Sequence, residues 1–288
     1  MSAYNYAFLD ENTKKEIRRK TLKAIAIPGY QVPFGSREMP IARGWGTGGL
    51  QVTLSVIGKQ DILKVIDQGN DDSVNACNLR DLISSTSEVA TTTDTLEATI
   101  IQTRHRIPEE KMQAHQILVF QVPMPEVLRT VEPSEQETRR MHGERDYSRL
   151  WVQLYEDIVQ HGEIRISYDY PVLVNGHYIC DPSPIPRFDV PKLHQAETLF
   201  LFGAGREKRI YAIPPHTDVV PLQFEDYPFT VESYDQGCEK CGCTTSYLEE
   251  SFDRVDGARH YYCSDTSFCG KKQVEQGELV QMGANWHG

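Results

Sequence analysis

The first regular pattern of apolar and polar positions lies near the amino end and is helical. Small or apolar residues recur at the spacing of one helix face, at Ile17, Thr21, Ala24 and Ile25. Asn12 or Thr13 can cap this helix, and the pattern carries it to about Ala26. Because Pro28 cannot continue a helix, we interpret the following Gly29 as part of a helix-terminating turn.

Later segments change between the period of a strand and that of a helix. Alternation with period two predicts strands in LQVTLSVIG, ATIIQTRHRI and QILVFQVP, and a further strand at 209–213. Helical patterns cover residues 60–68, 72–84 and 134–161. Asn175-Gly176, between VLV and HYIC, fits a type I′ turn and predicts a hairpin. Helices and strands mix without strict βα repetition, which indicates an α/β fold with a mixed α+β sheet core.

A long passage without periodicity, IPGYQVPFGSREMPIARGWGTGG, separates the first helix from the first predicted strand. Unstructured passages of this length inside a compact domain are usually functional or disordered. The aromatic residues Tyr30, Phe34 and Trp45 favour a functional loop over a disordered one.

The composition of the sequence changes near Phe229, where short polar segments with cysteines begin. We therefore predict a core over residues 1–228 and a small C-terminal four-cysteine metal-binding hairpin subdomain over 229–272. The segment Val255-Asp256-Gly257-Ala258 is typical of the hairpin's turn. Residues 273–288 form a polar tail, which we expect to be loosely ordered.

Composition and charge narrow the function classes. The formal net charge of −11 argues against general nucleic-acid binding, which needs a basic face. No apolar run approaches the roughly 20 residues of a membrane span, and the amino end shows no apolar signal segment. These features favour a cytoplasmic protein, in which thiols stay reduced and clustered cysteines indicate metal or redox chemistry.

Four of the seven cysteines have the spacing of a metal site. They read Cys238-x2-Cys241-x21-Cys263-x5-Cys269, so a tight turn supplies one pair and a hairpin can return the second. Four convergent thiolates suit either Zn²⁺ or an iron–sulfur cluster. A zinc knuckle that only stabilises the fold of a small subdomain is the simpler interpretation of the spacing. Cys243 is left over from the pattern.

Several motifs occur together and in order: AIPGYQVPFG, GWGTGG, IQTRHRIPE, DPSPIP, FGAGREKRIYAIPP and the cysteine pattern. In combination they resemble the family of J subunits of the carbon–phosphorus lyase core complex (PhnJ), over nearly the whole chain up to Cys269. The resemblance implies a radical S-adenosylmethionine-dependent lyase in phosphonate catabolism. Its reaction converts α-D-ribose 1-methylphosphonate 5-phosphate to 5-phospho-α-D-ribose 1,2-cyclic phosphate and methane.

The resemblance also implies a cofactor and a radical relay. A 4Fe–4S cluster that cleaves S-adenosyl-L-methionine would be held by Cys238, Cys241 and Cys263, although the usual C-x3-C-x2-C motif is absent. Cys269 would be the catalytic thiol, or the fourth ligand if zinc replaces the cluster in aerobically prepared protein. Gly29 would carry a glycyl radical, which requires Gly29 and Cys269 to share a site.

Substrate-binding residues follow from the same resemblance. They are Arg104, His105, Gln121, Gly44 and Gly46, which would bind a substrate with two anionic groups. Arginine forks and glycine backbone N–H groups suit phosphate oxygens. The residues by themselves leave two other interpretations open. An Arg-His-Arg strand is often a solvated sheet edge, and this glycine loop lacks the spacing of known phosphate loops.

The implied partners are the G, H and I subunits of the core complex and the K subunit, a nucleotide-binding ATPase. A non-catalytic alternative is a zinc-stabilised structural subunit of a multiprotein complex. Its four cysteines would hold one zinc ion and no cluster.

Overall fold

The computed structural model describes residues 9–35, 47–67, 71–104, 106–122, 134–144, 146, 148–149, 152, 172–176, 178–179, 189–204, 208–221, 236–246, 248–253 and 255–284. The helices are α1 (Glu11–Ala26), α2 (Thr47–Val56), α3 (Val74–Ser87), α4 (Glu135–Glu144), α5 (Val190–Leu193) and α6 (Thr266–Ala284). The strands are β1 (Val32–Pro33), β2 (Ile62–Ile66), β3 (Ala90–Thr91), β4 (Ile100–Thr103), β5 (Ile117–Val122), β6 (Val172–Val174), β7 (Tyr178–Ile179), β8 (Leu199–Ala204), β9 (Arg209–Ile213), β10 (Val219–Pro221), β11 (Leu248–Phe252) and β12 (Arg259–Cys263).

A seven-stranded sheet forms the centre of the α/β core, in the order β1-β9-β8-β5-β4-β2-β3. Strands β8, β5, β4, β2 and β3 run parallel to one another, and β9 runs antiparallel to β8 and β1. Alternate residues of each strand therefore point to opposite faces of the sheet. The predicted mixed α/β architecture is confirmed.

Each face of the sheet carries its own apolar core. On one face, residues of α1, α2 and α3 pack against alternate strand residues such as Leu63 and Val119. On the other face, β6, β10 and α5 cover Phe120, Phe202 and Tyr211. Because both faces are buried, the central strands read as nearly continuous apolar runs. That pattern explains why β8 (LFLFGA) was not predicted from alternation.

Two predicted elements are wrong and exchange types. LQVTLSVIG forms most of helix α2, and the predicted helix at 60–68 is strand β2. Helix α2 is buried on nearly all sides, and this is tolerated because its buried hydroxyl groups have protein partners. Ser55 Oγ donates to the carbonyl of Gln51 at 2.7 Å, and Thr53 Oγ1 donates to Gln102 of β4. Its apolar–polar alternation therefore reflects buried hydrogen bonds and not a solvent-facing strand.

Glycines let the amino end of α2 approach the sheet closely. A Cβ at Gly49 would lie 2.6 Å from the Cα of Gln121, and one at Gly203 would lie 2.6 Å from the carbonyl carbon of Gly48. Backbone thus packs on backbone where α2 crosses the carboxyl ends of β5 and β8. Only glycine permits such contacts without displacing one element.

Other predicted elements are confirmed. Helix α1 forms as expected, although its cap is Asp10, whose Oδ1 accepts from the N–H of Thr13 at 2.9 Å. The predicted hairpin of β6 and β7 forms, and Asn175 and Gly176 in its loop have positive φ angles of 51° and 67°. Val174 pairs with Tyr178, so the loop has three residues and not the two of a simple type I′ hairpin. The ATIIQTRHRI, QILVFQVP and 209–213 segments contain β4, β5 and β9.

The end of the chain differs from expectation. Helix α6 extends to Ala284, so the segment predicted as a polar tail is helical up to that residue, and residue 272 lies inside the helix. Of the helix predicted at 134–161, α4 accounts for the first part, and most of the remainder lies outside the described residues. Among the helices described, none has the length and apolar character needed to cross a bilayer.

Candidate metal centre and surrounding polar residues

A two-stranded ribbon and two turns bring the four predicted cysteines together. Strands β11 and β12 pair antiparallel, with Leu248 opposite Cys263, the last residue of β12. The first pair lies in a tight turn in which the N–H of Cys238 donates to the carbonyl of Cys243 at 3.0 Å, and Gly242 adopts a φ of 65°. Cys269 follows in the first turn of α6.

The four thiols face a common point and are buried. The sulfur atoms of Cys238, Cys241, Cys263 and Cys269 all lie within 4.8 Å of one another, with Cys238 3.8 Å from Cys269 and Cys241 3.5 Å from Cys263. Zinc–sulfur bonds of about 2.3 Å in a tetrahedron separate the sulfurs by about 3.8 Å. The arrangement therefore fits one tetrahedral ion. A 4Fe–4S cluster binds each thiolate to a different iron, and so needs the sulfurs further apart.

The environment distinguishes the thiols from one another. Burial by itself would raise the pKa of Cys238, but backbone N–H groups that point at its sulfur outweigh burial and lower the pKa to about 7. One of these is the N–H of Cys263, 3.3 Å from the sulfur. Burial raises the pKa of Cys269 to about 11. Cys238 is therefore more readily ionised than Cys269, and a bound cation would favour the thiolate form of its ligands.

Cys243 lies beside this centre without joining it. Its side chain is half-buried and its sulfur lies 3.4 Å from the hydroxyl of Thr245. Among the described residues, the group that could hold a metal ion consists of the four predicted cysteines, so their predicted convergence is confirmed.

A buried charge cluster joins the centre to the large sheet. Lys64 of β2 has no exposed surface, and its Nζ lies 3.2 Å from Asp265 and 3.6 Å from Asp71. Asp265 stands between Cys263 and Cys269 in the chain. The sequence contained one signal of this cluster: a lysine in the middle of the apolar strand ILKVI.

The arginine pair after β4 does not lie on a solvated edge. Arg104 is buried, its Nη2 donates to Asp67 Oδ2 at 2.8 Å, and its Nε lies 2.6 Å from Asp67 Oδ1. The solvated-edge interpretation is therefore wrong, because both Arg104 and Arg106 are largely buried. His105, between them, lies outside the described residues.

Gln121 lies at the carboxyl end of β5, beneath the glycines that open α2. Its Oε1 accepts a hydrogen bond from Gln102 Nε2 at 3.3 Å, and Gln102 in turn accepts from Thr53. Gln121 is fully buried, and within the described residues its Nε2 has no acceptor. Gly44 and Gly46 of the same glycine-rich motif lie outside the described residues.

A buried carboxyl that the sequence did not reveal faces the segment after Arg106. Burial raises the pKa of Asp189 to about 6, against the opposing influence of the cations Lys192 and Arg106. Lys192 Nζ lies 3.6 Å from Asp189 and 2.9 Å from Glu109. These contacts attach the start of α5 to the segment that follows β4.

Gly29 lies at the other end of the sheet from the cysteines. It is buried with a φ of 78°, and its N–H donates to the carbonyl of Ala212 in β9 at 3.0 Å. Ala212 belongs to β9, and the cysteine centre contacts β2 through Asp265. Strand β2 lies four strands from β9 in the sheet, so at about 4.8 Å per strand the two anchor points are about 19 Å apart. This arrangement does not bring Gly29 and Cys269 into one site.

Comparisons with known proteins agree with these features. Residues 2–275 match the family model described as "Phosphonate metabolism protein PhnJ". A protein of Rhizobium meliloti (strain 1021), named alpha-D-ribose 1-methylphosphonate 5-phosphate C-P-lyase, is 58% identical over 274 residues, which cover 95% of this chain and 92% of that protein. A protein of Escherichia coli (strain K12) with the corresponding C-P lyase name is 57% identical over 269 residues, covering 93% and 96%.

Proposed function

The chain belongs to the family of the phosphonate metabolism protein PhnJ, and from that premise we propose that it cleaves the carbon–phosphorus bond of α-D-ribose 1-methylphosphonate 5-phosphate. The products are methane and 5-phospho-α-D-ribose 1,2-cyclic phosphate. The observation that carries the proposal is the identity of 57–58% to two proteins named for this lyase activity, over more than nine-tenths of each chain.

The chemistry of the bond favours a radical route. Heterolysis would expel an unactivated carbanion, which is too basic to leave, so neither a general acid nor a metal-bound hydroxide suffices. Homolysis avoids the carbanion. A cysteine sulfur suits the attack, because a thiyl radical is accessible and its bond to phosphorus can later be broken by an oxygen nucleophile.

Cys269 is the thiol proposed for this attack. The glycyl radical of Gly29 would take the hydrogen atom of the Cys269 thiol, which restores the glycine and leaves a thiyl radical. The thiyl radical bonds to phosphorus while the carbon–phosphorus bond breaks and releases a methyl radical. The methyl radical takes a hydrogen atom from the Cα of Gly29, which gives methane and leaves a glycyl radical. The ribose 2-hydroxyl then attacks phosphorus, loses its proton and displaces the Cys269 thiolate, which closes the cyclic phosphate.

Cys238, Cys241 and Cys263 are proposed to hold a 4Fe–4S cluster that binds S-adenosyl-L-methionine. Bound in this way, the cluster and its ligand would supply the one-electron chemistry that starts the relay. The chemistry of three thiolates suits iron. Their present spacing suits a smaller, single ion, so cluster assembly requires the sulfur atoms to move apart.

The relay also requires movement of Gly29 or Cys269. A hydrogen atom passes only between groups in contact, and the two residues are attached at opposite ends of the central sheet. One of them must leave the position described above, or a third group must carry the radical between them. The positive φ of Gly29 suits its proposed role, because a residue without Cβ meets little resistance on becoming planar.

Substrate binding is proposed at the carboxyl ends of β4 and β5. Arg104 would donate to a phosphate oxygen alongside its pairing with Asp67, and the unsatisfied Nε2 of Gln121 offers a second donor. The amino end of α2 approaches Gln121 closely and adds a positive dipole end. His105, Gly44 and Gly46 are proposed to complete the site. The G, H and I subunits and the K subunit ATPase are the proposed partners.

A second candidate function is that of a zinc-stabilised structural subunit. One observation favours it, namely that the four sulfurs have the spacing of a single tetrahedral ion. Such a protein would keep its fold and its partners but perform no chemistry.

Metal analysis under strict exclusion of oxygen tests the two functions against each other. Chain purified anaerobically with its partner subunits is assayed for iron, sulfide and zinc, then supplied with reductant, S-adenosylmethionine and the ribose phosphonate. The lyase predicts about four irons and four sulfides per chain, with methane and cyclic phosphate formed together. One zinc, no iron and no methane from such material would favour the structural subunit. Cys269→Ser is the matched control, since it removes the attacking sulfur and should release no methane.

A further inference from the structure

The ammonium group of Lys64 is enclosed by protein. It lies where the α/β core built on the seven-stranded sheet, here called the large domain, meets the cysteine region. Four groups surround its Nζ: the carbonyl of Thr93 at 2.8 Å, the hydroxyl of Thr95 at 3.0 Å, and the carboxylates of Asp265 at 3.2 Å and Asp71 at 3.6 Å. A buried cation is tolerated only with such partners. One of these partners, Asp265, belongs to the cysteine region.

Asp265 organises the turn that carries Cys269. Its Oδ1 accepts from the N–H of Phe268 at 3.1 Å, and its carbonyl accepts from the N–H of Cys269 at 3.0 Å. The carboxylate that Lys64 contacts is therefore also the cap of helix α6. It stands two residues after Cys263, so two of the four thiols flank it in the chain.

Asp71 contacts the same turn from a second side. Both the N–H and the hydroxyl of Thr266 donate to Asp71 Oδ1, the N–H at 3.4 Å. Asp71 and Asp265 are both nearly inaccessible to solvent. The turn at 265–266 is thus fixed by groups of the large domain, and the ribbon alone does not determine its position.

We propose that Lys64 is a positioning residue for the metal centre, which acts through Asp265 to fix the helical turn that presents Cys269 to the other three thiols. Metal affinity then depends on the large domain as well as on the ribbon. The inference rests on the metal centre of the proposed function and is independent of carbon–phosphorus cleavage.

Lys271 offers a matched control on the same helix. Its Nζ lies 3.0 Å from Asp94 and 2.7 Å from Glu110, so it also joins α6 to the large domain. Unlike Lys64 it is well exposed, with 38% of its side chain accessible, and water replaces a lost partner there. The two lysines make comparable contacts and differ mainly in burial.

The test measures zinc affinity by competition with a chelator, on the full chain in complex with its partner subunits. Lys64→Met should weaken zinc binding by roughly 10–100-fold, the usual effect of removing a group that orients a metal ligand. Alkylation of the zinc-loaded variant, mapped by mass spectrometry, should modify Cys269 before Cys238. Lys271→Met should leave zinc affinity and the alkylation order as in the wild type.

A double variant shows whether Lys64 acts through Asp265. Asp265→Asn alone should weaken zinc binding, and adding Lys64→Met should cause little further loss because the pair acts as a unit. The inference would be overturned if the losses in zinc affinity of the two single variants multiplied in the double variant. It would also be overturned if Lys64→Met kept wild-type zinc affinity and its Cys269 stayed protected from alkylation. Should Lys64→Met fail to fold, Thr95→Val removes one Nζ contact without changing charge and must still make Cys269 more reactive. Wild-type protein that binds no metal would contradict the proposed function itself.

Discussion

The N–H of Gly29 donates a 3.0 Å hydrogen bond to the carbonyl of Ala212, which holds this glycine at the edge of the central sheet opposite the cysteine centre. A stable hydrogen bond in this position keeps the Cα of Gly29 away from Cys269. The proposed relay therefore has a structural requirement that isotope labelling can examine.

With dideuterated glycine at position 29, we expect label in the methane that the wild-type complex releases. Cys269→Ala should transfer label from Gly29 into 5′-deoxyadenosine and form no methane, because no sulfur exists to attack phosphorus. Gas-phase mass spectrometry of methane and of the nucleoside product measures both outcomes. Methane that never carries the label would remove Gly29 from the relay and leave it as a turn residue.

Single cysteine variants separate a cluster from a single ion. If a cluster is held by three thiols, Cys238→Ala, Cys241→Ala and Cys263→Ala abolish its visible absorption, and Cys269→Ala retains it. If all four thiols bind one zinc ion, each variant weakens zinc binding, since all four sulfurs lie within 4.8 Å of one another. Loss of absorption in Cys269→Ala with retention in Cys263→Ala would reverse the assigned roles. Cys243→Ala is the control and should retain the metal in either case.

Removal of the Arg104 fork should weaken substrate binding. Hydrogen bonds to charged groups contribute about 1.5–3 kcal/mol each, so Arg104→Ala should lower affinity roughly tenfold to hundredfold, measured by calorimetry on the complex. Arg104→Lys should recover only part of this loss, because lysine lacks the planar fork. Because Asp67 pairs with Arg104, thermal unfolding of each variant serves as the control for stability. Unchanged affinity in both variants would assign Arg104 to the Asp67 pair alone.

Asp189 should make stability depend on pH between its ordinary and its native pKa. Burial raises the pKa of Asp189 from 3.8 to about 6, so the stability that its protonated form contributes is present below about pH 4 and is lost as pH rises through 6. The difference corresponds to about 3 kcal/mol. Denaturant unfolding should therefore show Asp189→Asn gaining stability relative to the wild type over this interval. The charged groups that face Asp189 are Lys192, Arg106 and Glu109.

The matched control for this comparison is the exposed Asp81 on α3, whose replacement by asparagine should leave the pH dependence unchanged. A constant difference between wild type and Asp189→Asn from pH 4 to pH 7 would contradict the assignment of a raised pKa.

Glycine substitutions should test the contact between α2 and the sheet. Gly203→Ala puts a methyl group 2.6 Å from the backbone of Gly48, and overpacking of this kind costs about 1–3 kcal/mol in the free energy of unfolding. Gly277→Ala, in α6 with no atom within 4 Å of the added methyl, should be neutral or slightly stabilising because alanine favours helix. Denaturant unfolding measures both. Equal effects in the two variants would show that the contact is not tight.

The cysteine centre could be predicted from the sequence because its ligands lie close together in the chain and obey the spacing of turns and hairpins. The Lys64–Asp265 contact could not, because it joins residues from β2 and the start of α6 that only the complete fold brings together. A lysine in an apolar strand indicates some buried partner but does not identify it. Asp189 carries even less signal, since its burial depends on how α5 packs.

Helix α2 shows why alternation by itself misleads. Thr53 and Ser55 are buried and bond to Gln102 and to the helix backbone, so they occupy core positions that a sequence pattern assigns to solvent. Burial of both faces also explains why the strand predicted at 50–58 is a helix and the helix predicted at 60–68 is a strand. Where both faces of an element are buried, hydrophobic periodicity no longer reports which period the backbone follows.

The backbone contact of Gly48 with Gly203 also bears on how the chain reaches its native state. Helix α2 can form from neighbouring residues alone. The surface of the sheet on which it packs exists only after β8, far along the chain, has paired with β5. Contacts between distant residues require closure of a large loop and slow folding. We therefore expect α2 to dock after the rate-limiting step, so that Gly203→Ala accelerates unfolding while leaving the folding rate nearly unchanged.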